Sequence, residues 1–145
     1  MDRYSIQQVS EKLGITKQTL RYYETLRLVL PERGKNNYRC YTQKDINDLL
    51  YIQLMKYAGF SLEETGKVLY NKRNVTAEKE SMKSTMSILI NKKASMEKTV
   101  AFLQGLIKLS DVFMDTLQGK KSVEDMDNLV KKIYEDVFAG EGGHE

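Results

Sequence analysis

Apolar positions near the start of the chain recur at helical rather than alternating spacing. Ser5 and Gln8 form a capping-box pattern, and Ile6, Val9 and Leu13 then follow at intervals of three and four until Gly14 interrupts. A short helix is predicted. Thr16 can cap a second helix that places Leu20 and Tyr23 inward and leaves Lys17, Gln18, Arg21 and Tyr22 outside. Tyr23 suits either the half-buried core or the outer face. Two short helices separated by a tight glycine-containing turn make a helix-turn-helix pattern.

The period then changes. Residues 33–41 carry Gly34 and Asn36-Asn37 ahead of alternating aromatic and polar residues, which predicts a small β-hairpin whose turn needs positive backbone angles. Thr42 with Asp45 and Ser61 with Glu64 repeat the capping-box pattern, framing helices over about 43–58 and 62–70 around a Gly59-Phe60 break. From Thr76 to Gln118 there is no proline and only Gly105 to disturb a helix. Along it Met82, Met86, Leu89, Lys93, Met96, Val100, Leu103, Ile107, Ser110, Met114 and Leu117 alternate at spacings of four and three, a heptad seam. Such a helix would run roughly 60 Å, too long for its stripe to find a partner in so small a chain, so the seam predicts pairing with a second copy. A neighbouring stripe, Phe102, Leu106, Leu109 and Phe113, predicts an intramolecular cover. After Gly119, Ser122 and Asp125 start a last helix whose Met126, Leu129, Val130, Ile133, Val137 and Phe138 can fold back onto that stripe. The glycine-rich end, 140–145, is expected to fray. The pattern as a whole predicts a mainly all-α chain: a helix-turn-helix domain with a small β-wing over 1–75, a dimerisation coiled-coil helix over 76–119, and a short C-terminal helix with a tail over 120–145.

Composition narrows the class. At 145 residues, 41% hydrophobic and 30% charged, the chain can bury one compact core and carry an extension. Neither a membrane-length apolar run nor a signal-peptide core is visible, which predicts a cytoplasmic setting without a membrane partner. A single cysteine, Cys40, excludes an internal disulfide framework; packing suits it better than redox sensing. The net charge of +3 divides unevenly: residues 1–41 hold eight Lys/Arg against four Asp/Glu, and the remainder holds fifteen against sixteen. A local positive field suits a phosphate-binding surface, although charge alone equally fits a solvated face. One histidine, His144 in the expected tail, no phosphate-binding glycine loop and no nucleophile-base pattern argue against an enzyme and against a cofactor. Met82, Met86, Met96 and Met114 sit on the seam and read as core rather than a soft-metal site.

The chemistry concentrates in two probes. The helix Thr16-Lys-Gln-Thr-Leu-Arg-Tyr-Tyr-Glu24 and the wing Asn37-Tyr-Arg-Cys-Tyr41 are both cationic and aromatic, joined by a linker through Pro31-Glu-Arg33. A helix fits the major groove, where Lys17 and Arg21 can meet base edges or phosphates; Tyr38 and Arg39 suit backbone oxygens beside it.

Tyr4-Ser5-Ile6, Thr19-Leu-Arg-Tyr-Tyr-Glu24, Pro31-Glu-Arg33, Tyr38-Arg39-x-Tyr41 and Gly59-Phe-Ser-Leu-Glu-Glu64 together resemble the MerR family of transcription regulators over about residues 3–70. The resemblance implies a homodimer, joined by an antiparallel pair of the long helices, that binds a pseudo-palindromic operator in double-stranded promoter DNA. It also implies deformation of that DNA so that RNA polymerase can use an overlong promoter spacer. Family contacts fall on Lys17, Arg21, Tyr22 and Tyr23 in the recognition helix, and on Arg33, Tyr38 and Arg39 at the wing. The dimer seam falls on Met86, Leu89, Met96, Val100, Leu103, Ile107, Met114 and Leu117. Where the family wing usually reads Asn-Gly-Tyr-Arg, this chain has Asn37 for the glycine, a residue that tolerates a left-handed backbone.

No cysteine lies between Ser110 and Lys121, where metal-sensing members carry theirs, and none lies in the stretch 51–59 used by thiol and aldehyde sensors. Metal sensing is therefore not expected and the signal stays open; a small organic effector is one candidate partner, and a pocket for it would be built around Phe102, Phe113, Tyr134 and Phe138. The competing reading is an architectural DNA-bending or protein-interaction module without effector response.

Overall fold

The computed structural model describes residues 2–74, 76 and 78–139. They resolve into two compact units, Met1–Leu89 and Ile90–Glu145.

In the first unit, β1 (Arg3–Ser5) leads into α1 (Ile6–Leu13), and Ser5 and Gln8 form the reciprocal capping box. Gly14 ends α1 at φ 65°, a left-handed position that glycine takes without steric cost. Thr16 then caps α2 (Lys17–Thr25) by accepting from the Thr19 amide at 3.1 Å. Each such cap contributes about 1 kcal/mol to holding a helix start in place. After α2 the chain reverses through Arg27 at φ 57°, with the Leu28 amide donating to the Tyr23 carbonyl, and drops Leu28 and Val29 into the core.

β2 (Glu32–Arg33) and β3 (Arg39–Thr42) form the wing, closed by Gly34 N–H donating to the Tyr38 carbonyl at 2.9 Å. Asn36 and Asn37 both sit at φ 61°, so Asn37 takes the left-handed turn position itself. β1 adds to the other edge of β3, giving a three-stranded antiparallel sheet in the order β1-β3-β2. The sequence reading contained the hairpin but not β1, whose three residues pair with partners almost forty positions away: Arg3 opposite Thr42, Tyr4 opposite Tyr41, Ser5 opposite Cys40.

α3 (Gln43–Tyr57) and α4 (Leu62–Arg73) both start at capping boxes, on Thr42 and Ser61. Gln53 of α3 donates to the Leu13 carbonyl at 3.0 Å, satisfying an orphan acceptor at the end of α1. Val9, Ile15, Leu20, Tyr23, Leu28, Val29, Tyr41, Ile46, Leu49, Ile52 and Leu69 make the core. α4 runs three residues beyond the predicted end because Lys72 and Arg73 turn onto the buried carboxylate of Asp48. The first turns of α5 (Lys79–Leu117) belong to this unit: Asn71 Nδ2 donates to Thr85 Oγ1 at 2.6 Å and Ser81 Oγ at 3.2 Å.

The second unit pairs the remainder of α5 with α6 (Val123–Phe138), whose N-terminus carries the Ser122–Asp125 capping box. Gly119 at φ 75° makes the turn, and the Lys120 amide returns to the Asp115 carbonyl at 2.8 Å. α6 covers a stripe rotated from the predicted one. Phe102, Gly105, Leu109 and Val112 are half-buried and face Met126, Leu129, Ile133 and Val137, whereas Leu106 and Phe113 are exposed. The close approach is set by Gly105, which has no side chain to hold Ile133 away. Val130 and Phe138, predicted to face inward, are also exposed.

No helix among the described residues is long and apolar enough to cross a membrane. The expected frayed tail and His144 lie outside the described residues.

Candidate nucleic-acid interface

α2 is amphipathic in a direction fixed by the core. Leu20 and Tyr23, three residues apart, point inward and are buried, which leaves Lys17, Gln18, Arg21 and Tyr22 on the outer face. Arg21 lies four residues from Lys17, one helical turn, so the two cations stand in line along that face. Tyr22 is half exposed beside them.

Tyr23, read from helical spacing as inward and from the family resemblance as a DNA contact, takes the inward position. Only 4% of it is exposed, and burial pushes its phenol pKa above the usual value. Its ring belongs to the core, because position 23 follows Leu20 by one helical turn and shares its inward direction.

The wing carries Tyr38 at its tip, 73% exposed, with no core role. The two wing arginines are opposite each other across the β2–β3 pair, an arrangement of like charges that destabilises a hairpin unless something bridges them. Glu24, on the last turn of α2, is that bridge. Its Oε1 accepts from Arg33 Nη2 at 2.7 Å, and its Oε2 accepts from Arg39 Nε. Arg33 Nη1 also reaches the Asn37 carbonyl at 3.4 Å. α2 and the wing are thus tied by one carboxylate with both oxygens in use. The sequence reading missed Glu24, although it is the single acid between Lys12 and Pro31 and lies in the same segment as the cations it serves.

Cys40 is half-buried on β3 with a free thiol, opposite Ser5 on one side and Glu32 on the other. Its neighbour Tyr41 is fully buried with no hydrogen-bond partner for its hydroxyl among the described residues, and burial raises its phenol pKa.

The four aromatic residues expected around an effector are not gathered into one cavity. Phe102 is half-buried, and Phe113, Tyr134 and Phe138 are exposed. Tyr134 and Phe138 contact each other, ring centroids 4.9 Å apart, one turn apart on α6. The cleft between α5 and α6, about 370 Å³, is lined instead by Ala101, Gly105 and Lys108 against Leu129, Ile133 and Asp136. The seam residues Met86, Leu89, Met96, Val100, Leu103, Ile107, Met114 and Leu117 are all exposed in the single chain, Ile107 at 64% and Leu117 at 72%.

A family model described as MerR HTH family regulatory protein matches residues 4–72. Among curated proteins, the chain is 42% identical over 65 residues to the HTH-type transcriptional regulator HmrR of Rhizobium leguminosarum bv. viciae, a match covering 45% of this chain and 50% of that protein. It is 41% identical over 66 residues to CueR of Salmonella typhi, covering 45% and 48%. It is 40% identical over 68 residues to the mercuric resistance operon regulatory protein of Bacillus cereus, covering 46% and 52%. The chain spans about half the length of the curated relatives it matches. Among solved structures, HiNmlR, a MerR family regulator lacking the sensor domain and bound to promoter DNA, aligns with a TM-score of 0.61 at 22% identity, over 86% of this chain and 96% of that one. SkgA, an HTH-type transcriptional regulator from Caulobacter crescentus, aligns with a TM-score of 0.61 at 18% identity, over 97% and 88%. At these identities the structural likenesses establish the fold.

Proposed function

The chain carries a MerR-family helix-turn-helix regulatory domain at residues 4–72, and from that premise we propose that it is a sequence-specific transcription regulator acting on promoter DNA as a homodimer. Its family and relatives are transcriptional regulators, not enzymes. The observation that carries the reading is the pair of cationic, aromatic probes, α2 and the wing, joined through Glu24.

In this reading α2 enters the major groove with Lys17, Arg21 and Tyr22 outward, and Tyr38 and Arg39 meet the phosphate backbone beside it. A second copy covers the exposed apolar seam of α5. Burying Val100, Leu103, Ile107, Met114 and Leu117 against like residues contributes on the order of 25 cal/mol per Å² of apolar surface removed from water. The dimer then presents two recognition helices to a pseudo-palindromic operator and deforms the DNA between the half-sites, for RNA polymerase to read. Cys40, the chain's one cysteine, lies on the wing rather than on α5 or α6, so thiolate metal sensing at the far end has no ligands in this sequence. The effector is proposed to be a small organic molecule taken by the α5–α6 cleft rather than by the four dispersed aromatic residues.

Replacing both Leu103 and Ile107 with glutamate tests the dimer. The variant is expected to sediment as a monomer and to lose DNA binding at concentrations where the parent binds, because avidity from two half-sites disappears. An intact dimer in that variant contradicts the seam.

A further inference from the structure

The Glu24 carboxylate is 19% exposed and holds two guanidinium groups, one from each wing strand. The two arginines are held differently. Arg33, its side chain 40% exposed, uses Nη2 on Glu24 and Nη1 on the Asn37 carbonyl, so each terminal nitrogen has a partner, one on the helix and one on the turn. Arg39 uses Nε, which leaves its two terminal nitrogens without a partner among the described residues. A guanidinium held by Nε keeps its two terminal nitrogens for a further acceptor, and such a pair of nitrogens takes a phosphate in fork geometry.

We propose that Glu24 is the positioning residue of the DNA-reading surface: it sets the wing's orientation against the recognition helix, with Arg33 as an internal brace and Arg39 as the backbone contact it aims. The inference rests on the DNA-binding reading above and removes Arg33 from the contact set. Glu24 also neutralises one of two opposed cations. It therefore lowers indiscriminate attraction to phosphate while making the two probes move as one body, and both effects favour discrimination over raw affinity.

The test uses the full-length protein and two duplexes of equal length: one carrying the inverted repeat that the protein enriches from a random pool, and one scrambled. Glu24→Gln keeps the size and loses the charge. It is expected to reduce the enriched-to-scrambled affinity ratio at least tenfold, with affinity for the scrambled duplex equal or higher and its salt slope steeper by about one. In an Arg39→Ala background the same change is expected to lower the ratio by a smaller factor than in the parent. Arg33→Lys keeps the charge and loses the two-pronged brace, so the ratio falls at least tenfold at an unchanged salt slope. Thermal melting followed by circular dichroism establishes that each variant is folded; if Glu24→Gln is not, Arg33→Lys decides the matter.

Equal proportional loss on both duplexes, an unchanged ratio, or an Arg33→Lys variant indistinguishable from the parent overturns the role of Glu24. Failure of the parent protein itself to bind any duplex overturns the DNA-binding reading instead.

Discussion

Arg73 closes on Asp48 through two nitrogens, Nε at 3.1 Å and Nη2 at 2.8 Å. Lys72 Nζ takes the other carboxylate oxygen at 2.7 Å, and Arg73 also donates to the Leu28 carbonyl. The last turn of α4 is thereby pinned to α3 and to the segment that follows the recognition helix. The Asp48 side chain is 2% exposed, and both of its carboxylate oxygens are paired, as a buried polar group requires.

Asp48→Ala is accordingly expected to destabilise the first unit by about 1–3 kcal/mol, since it removes the shared partner of two cations that are themselves 35% and 25% exposed. Urea unfolding measures this as a fall in midpoint at an unchanged slope. A loss below about 1 kcal/mol would show that the ion cluster is replaceable by solvent.

Gly105 makes an opposite prediction to helix propensity. Alanine is favoured over glycine in a helix interior by about 1 kcal/mol. A Cβ at position 105, however, would lie 3.0 Å from Ile133 Cγ1 and 3.3 Å from its Cγ2 and Cδ1. Ile133 is β-branched and in a helix has essentially one side-chain rotamer, so it cannot swing aside, and overpacking of this kind costs about 1–3 kcal/mol. Gly105→Ala should lower the melting temperature in the parent and raise it in an Ile133→Ala background. The same sign in both backgrounds contradicts the packing described for α5 and α6.

Two of the nine tyrosines should be set apart at alkaline pH. Burial raises the phenol pKa of Tyr23 and of Tyr41 above 10.0 in the folded protein. Because the folded pKa exceeds the unfolded one, the stability these groups contribute is complete below about pH 10 and is lost as pH rises through the folded values. Spectrophotometric titration should show two phenols ionising late, together with loss of helical circular dichroism. Ionisation of all nine in one ordinary step contradicts their burial.

Much of this was legible in the sequence because the signals were local. The capping pairs Ser5–Gln8, Thr42–Asp45, Ser61–Glu64 and Ser122–Asp125 marked the starts of α1, α3, α4 and α6, since each is a contact between residues three apart. What escaped was non-local. β1 exists through its pairing with β3, the extra turn of α4 through Asp48, and the bracing of the wing through Glu24. The face of α5 that α6 covers is rotated slightly from the predicted stripe for the same reason: the stripe rests on the large apolar Leu106 and Phe113, whereas the contact turns on the residue with no side chain, Gly105.

α2 separates two nearby residues by direction, Arg21 outward and Tyr23 inward. Arg21→Ala is expected to weaken binding to the enriched duplex by about 1–3 kcal/mol with little change in melting temperature. Tyr23→Phe, inside the core, should leave that affinity within about twofold, as a buried ring that keeps its packing does not alter the outer face. Loss of binding in the phenylalanine variant would return Tyr23 to the contact set.

Equilibrium binding of the parent protein to the enriched duplex and to its scrambled counterpart, over a range of salt concentrations, tests the central claim most directly. A regulator that reads its operator through α2 and the wing should prefer the enriched duplex by roughly a thousandfold or more, with both affinities falling as salt rises. Equal affinities for the two duplexes at every salt concentration would contradict it.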